Sequence, residues 1–121
     1  MRILMLSWEF PPKIIGGIAR HVHDLSLAIA KQGAEVHVIT CGVQGAPDYE
    51  QVGGVKVYRV VMNNPASPDF LTWVLQLNLN MVEQANRLAQ NGVEFDIVHA
   101  HDWLAAFAGK NLKHSWQVPL V

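Results

Sequence analysis

Apolar positions follow two rhythms along this chain. Arg2 to Ser7 is an almost unbroken apolar run, Ile3-Leu-Met-Leu6, as expected of a short strand covered on both faces. From Gly17 to about Gln32 the period lengthens. Ile18, Val22, Leu25 and Ile29 recur at three- and four-residue spacing, which predicts an amphipathic helix with Gly33 as its stop. Glu35 to Thr40 returns to strand through Val36-His-Val-Ile39. Residues 42–54 are rich in Gly, Pro and Asp and read as surface loop. Val55 to Val61 alternates at its start and reads as a less protected strand at a sheet edge. Asn63 to Asp69 is a second polar loop.

Phe70 to Asn91 predicts a long helix with Leu71, Leu75, Leu79, Val82 and Leu88 on one stripe, closed by Gly92. That stripe reads as core or inter-helix packing. Phe95 to His99 is a strand. Asp102 to about His114 is a helix with Asp102 as its N-cap, and Trp103 reads as core. Pro119 to Val121 opens one more strand.

The order β-α-β-loop-β-α-β-α-β predicts an α/β fold: a Rossmann-like, doubly wound, mainly parallel sheet with right-handed crossovers. Sites in such sheets form at the carboxyl edge, where the strand order reverses. Gly16, Gly17, His99, His101 and Asp102 would meet there. The chain stops inside an expected strand, so residues 1–121 read as the front part of a larger protein.

Composition narrows the class. The chain has 121 residues, half of them hydrophobic, and a formal net charge of −1. That is enough for one domain or part of one, and disorder is not expected. No basic stripe marks a nucleic-acid partner. No signal peptide or transmembrane segment is expected: the most apolar stretch, Phe70 to Leu79, is far shorter than the roughly 20 residues a bilayer needs. One cysteine, Cys41, allows no internal disulfide and fits a cytoplasmic setting.

The chemistry begins at Gly16-Gly17. A strand, a loop and two glycines opening a helix can bring bare N–H groups to a phosphate, where the helix dipole adds positive charge. The same residues can serve only as a tight turn, and both readings stand. Gly-x-Gly-x-x-Gly is absent, which argues against a nicotinamide dehydrogenase. Imidazole at His101 can donate or accept a hydrogen bond, or be only a packed neighbour of the helix cap. Glu9 is a possible substrate contact or orienting group, equally an ordinary loop charge, and Asp102 is an N-cap and possible orienter of His101. His99 is structural, and His21 and His23 are surface or packing residues. His99-Ala-His101 also allows a metal-dependent hydrolase, although no further ligands stand at metal spacing.

Three segments carry a family likeness. Glu9-Phe-Pro-Pro with Gly16-Gly17, Lys31-Gln-Gly-Ala-Glu-Val-His-Val-Ile-Thr40 and Asp96-Ile-Val-His-Ala-His-Asp-Trp103 together resemble the N-terminus of family-4 and glycogen-synthase-like glycosyltransferases. One departure concerns Lys13: glycogen synthases usually carry lysine two residues before the first glycine, where Ile14 stands here.

The resemblance implies the GT-B architecture of two Rossmann-like domains across a cleft. This chain would be a truncated, acceptor-side N-terminal domain without its C-terminal, donor-binding partner. The implied activity is retaining transfer of a sugar from a nucleotide sugar, such as UDP- or ADP-glucose, to a glucan or other hydroxyl acceptor. Gly16 and Gly17 would bind the donor phosphate and His101 would be catalytic, with no metal or other cofactor. This part alone would be inactive. A non-catalytic binding fragment remains the other alternative.

Overall fold

The computed structural model describes residues 1–62 and 69–121. Most of the loop expected from Asn63 to Asp69 lies outside the described residues. Among the described residues five strands and three α-helices follow in order: β1 Arg2–Ser7, α1 Ile18–Lys31, β2 Glu35–Cys41, β3 Tyr49–Val52, β4 Val55–Val60, α2 Phe70–Gln90, β5 Ile97–Ala100 and α3 Ala106–Trp116. A 3-10 turn, Trp103–Ala105, leads into α3. The sheet order is β3-β4-β2-β1-β5. All pairs are parallel except β3 with β4. Leu120 bridges Val98 in parallel, so the expected last strand begins beside β5.

Alternate residues of each strand serve two cores. On one face Ile3, Met5, Val36, Val38, Val55 and Val57 pack with Val22 of α1, and Ile18, Leu25 and Ile29 complete the stripe expected of that helix. On the other face Leu4, Leu6, Ile39 and Val60 pack under Leu77, Met81, Ala85 and Leu88 of α2 and Ala108 and Leu112 of α3. Full burial of a side chain such as Leu77 or Met81 contributes roughly 1.5–3 kcal/mol.

Four expectations are corrected. The supposed loop of residues 42–54 contains β3, which folds back on β4 through Gly53-Gly54, both at positive φ (55° and 87°). Two such residues form a hairpin turn that matches strand twist. β4 therefore lies inside the sheet, with β3 as the edge. On α2 the buried residues are Val74, Leu77, Asn78, Met81, Ala85 and Leu88, while Leu71, Leu75 and Leu79 face outward. The helix carries apolar residues on two sides, and the sheet selects one of them. Finally, the 3-10 turn separates Asp102 from α3, and Trp103 is exposed.

Candidate functional site

β1 is the point where the strand order reverses, with β2 on one side and β5 on the other. Leu6 pairs with Ala100, and the His101 N–H extends the ladder to the Leu6 carbonyl at 2.9 Å. The chain thus leaves β1 and β5 side by side at one carboxyl edge, the crevice position of doubly wound sheets. Gly17 opens α1 there, and its carbonyl accepts from the His21 N–H at 3.1 Å. The His21 ring meets the His101 ring edge-on, with centroids 5.8 Å apart. Gly17 and His101 therefore share an edge, with His21 between them.

The loop from β1 to α1 is held from below. Glu9 is 1% exposed. Its carboxylate accepts from the N–H groups of Ile15 (3.1 Å), Gly16 (3.2 Å) and Ala19 (2.9 Å). The first two are loop amides and the third an unsatisfied amide of the first turn of α1, where a carboxylate also meets the positive end of the dipole. Glu9 is thus buried as the organiser of the loop, not presented on a cleft surface. The Gly16 N–H is committed to it and is not open to a phosphate, so this part of the sequence expectation is corrected. No hydrogen bond occupies the Gly17 N–H among the described residues.

A second clamp acts further along the loop. The buried Arg59 guanidinium donates to the Pro11 carbonyl (2.9 Å), the Pro47 carbonyl (3.0 Å) and the Glu50 carboxylate (2.9 Å). Lys13 places its ammonium over the rings of Trp8 and Trp73, 5.5 and 5.6 Å from their centroids, and 3.6 Å from the Cys41 sulfur. It is anchored against β2 and α2.

Gly16 and Gly17 are not demanded by the fold. Gly17 has ordinary helical angles (φ −75°, ψ −16°), and Gly16 is not among the positive-φ residues. A Cβ built at either would meet nothing within 4 Å. Neither backbone angles nor crowding require glycine at these two positions, and the space beside the helix start is open.

His101 is 7% exposed, and its Nε2 atom is buried without a hydrogen-bond partner. The His99 ring stacks on it at 4.1 Å between centroids. Burial pushes the His101 imidazole down to about 4, reinforced by repulsion from His99 and His21. His99 is lowered too, by burial and then by His21. At neutral pH His101 is an uncharged ring with an unsatisfied polar atom beside the glycine opening, suited to a hydroxyl.

Asp102 holds a backbone that side chains seldom adopt (φ 70°, ψ 164°), and its carboxylate caps the 3-10 turn by accepting from the Trp103 N–H at 2.6 Å. Asn78 of α2 fixes this turn and the start of α3. Its amide nitrogen donates to the carbonyls of Val74 (2.7 Å) and Leu104 (2.8 Å), and its oxygen accepts from the Ala108 N–H (2.9 Å). A lone polar residue on the buried stripe of α2 was its only signal in the sequence. His21 carried none, because its partner is far away in the chain. Among the described residues no group of three or more His, Cys, Asp or Glu is placed to hold a metal ion, so nothing completes a ligand set around His99 and His101.

The family model Glycosyltransferase Family 4 matches residues 15–121. An uncharacterised glycosyltransferase of Methanocaldococcus jannaschii is 43% identical over 123 residues, covering 100% of this chain and 30% of the relative. Glycogen synthase of Mycobacterium tuberculosis is 37% identical over 134 residues, covering 100% of this chain and 32% of the relative. The chain thus spans about a third of the length of these relatives.

In fold, the chain is similar to sucrose-phosphate synthase from Thermosynechococcus elongatus: TM-score 0.76, 20% identity, 98% of this chain and 31% of that one. It is also similar to the catalytic domain of starch synthase IV from Arabidopsis thaliana: TM-score 0.72, 17% identity, 98% of this chain and 32% of that one. The architecture is the Rossmann-like α/β unit of GT-B glycosyltransferases. The chain belongs to glycosyltransferase family 4.

Proposed function

We propose that this chain forms the acceptor-side N-terminal part of a retaining glycosyltransferase that uses a nucleotide sugar, such as UDP- or ADP-glucose. The donor diphosphate rests at the start of α1 against the Gly17 N–H, and His101 meets the transferred sugar. The acceptor is a glucan or another hydroxyl compound. A C-terminal domain beyond this chain supplies most of the donor contacts, so the chain alone does not catalyse transfer. The reaction takes place in the cytoplasm; a lone, buried, free Cys41 fits that setting.

The observation that carries this reading is the open Gly17 amide at the sheet edge it shares with the unpartnered Nε2 of His101. In the reaction a C–O bond forms between the acceptor hydroxyl and the anomeric carbon. The bond from that carbon to the phosphate oxygen breaks. The diphosphate leaves with the electron pair, and the hydroxyl proton passes to the leaving phosphate or to solvent. Charge grows on the phosphate as this happens, so a preorganised N–H at Gly17 lowers the barrier. His101, neutral and desolvated, fixes the sugar by a hydrogen bond instead of relaying a proton. Glu9 and Asp102 act behind the site, one ordering the glycine loop and the other the turn after His101.

The test uses the full-length transferase. His101→Ala lowers turnover on the order of 100-fold while the fold survives. Gly17→Ala places a methyl in the open approach. It leaves stability unchanged or raises it by up to about 1 kcal/mol, because the backbone angles suit alanine, and turnover falls at least about 10-fold. Wild-type turnover in both variants would remove this edge from the active site.

A further inference from the structure

His21 reads from the sequence as a surface or packing residue, yet it stands where the two halves of the site meet. Its N–H is bonded to the Gly17 carbonyl at 3.1 Å. Helical side chains lean toward the N-terminus, so the ring covers the turn that Gly17 opens. The same ring lies edge-on to His101, with an interplanar angle of 72°. The stacked His99 lies against His101 as well.

Two other histidines have hydrogen-bond partners. His37 binds Tyr58 and Glu35, and His23 binds Asp24. The His21 side chain is exposed and makes no hydrogen bond among the described residues. It adjoins both Gly17 and His101, the two groups a bound ligand would touch.

We propose that His21 is a donor-binding residue whose imidazole N–H hydrogen-bonds the phosphate oxygen next to the transferred sugar. This rests on the functional reading above. A phosphate on the Gly17 amide and a sugar hydroxyl on His101 leave the linking oxygen and its phosphoryl group beside His21. A hydrogen bond to a charged phosphate is among the stronger polar contacts. The Gly16 amide is spent on Glu9, so a side-chain donor on α1 takes up part of the role that two glycine amides would otherwise share.

The experiment measures dissociation constants of the full-length protein for UDP, ADP and GDP by calorimetry and follows the one bound best. Four variants are compared: His21→Ala, His21→Phe, His21→Gln and Gly17→Ala. Phenylalanine keeps the ring edge against His101 but cannot donate, and glutamine can donate but lacks the ring. The expected result is weakening by at least about 10-fold in His21→Ala and His21→Phe, with His21→Gln within about 3-fold of wild type. Wild-type affinity in His21→Phe would reduce the role of His21 to ring packing and overturn the proposal. Weakening in Gly17→Ala with none in His21→Ala would overturn it too, and leave the functional reading standing. A wild-type protein that binds none of the three nucleotides would overturn both.

Discussion

The buried imidazole at the carboxyl edge makes a quantitative demand on stability. His101 has an ordinary value of 6.5 and is pushed down to about 4 in the folded protein. The unfolded chain therefore takes up a proton between these values that the folded chain refuses. The contribution is fully present above 6.5, shrinks as pH falls through that window, and is lost below about 4. Each pH unit of separation is worth about 1.4 kcal/mol, so the whole loss is about 3 kcal/mol. About 2 kcal/mol of it falls between pH 7.5 and pH 5.

Urea denaturation at these two pH values, on wild type and on His101→Gln, isolates the effect. His37 and His99 are also lowered by burial, so both proteins weaken in acid, and the difference between them belongs mainly to His101. The wild type should lose about 2 kcal/mol more than the variant. Equal losses, within about 0.5 kcal/mol, would show that the His101 ring is accessible to protons in the folded state. The account of a desolvated, neutral sugar contact would then fail.

Two more outcomes concern the frame behind His101. Asn78→Leu strands the Leu104 carbonyl and the Ala108 N–H and should cost about 2–4 kcal/mol in chemical denaturation; a loss near zero would mean that these groups find other partners. At Asp102 the usual ranking of substitutes inverts. Alanine loses the cap and keeps the positive φ, so Asp102→Gly should be more stable than Asp102→Ala by about 1–2 kcal/mol. Melting temperatures of the two variants decide this, and alanine melting higher would show that the backbone relaxes at no cost.

The glycosyltransferase likeness was legible early because its signals are contiguous. An apolar run, a glycine pair before an amphipathic helix and a His-Ala-His-Asp-Trp segment each lie within one element and its loop. The class of sheet emerged from their order, since a strand, a helix and a strand in succession have few ways to pack. The stripe of α1 was equally local: one side of that helix is apolar and the other is not, so period alone identified the buried face.

Other features had no local signature. Both sides of α2 are apolar in the sequence, and only the surface of the sheet decided that Leu77 and Met81 go in while Leu75 and Leu79 stay out. Glu9 looked like a loop charge until the loop folded over it and delivered three amides to its carboxylate. His21 and His101 come from opposite ends of the chain and meet only because β5 pairs with β1. Periodicity and composition report how each residue is disposed toward an apolar or aqueous surface, and so they determined the helices, the parallel strands and the fold class, but not the β3 hairpin or the 3-10 turn. Which surface a residue actually meets is set by pairing between distant segments. That is why the donors left open, the imidazoles brought together and the strain at Asp102 were decided by the tertiary structure alone.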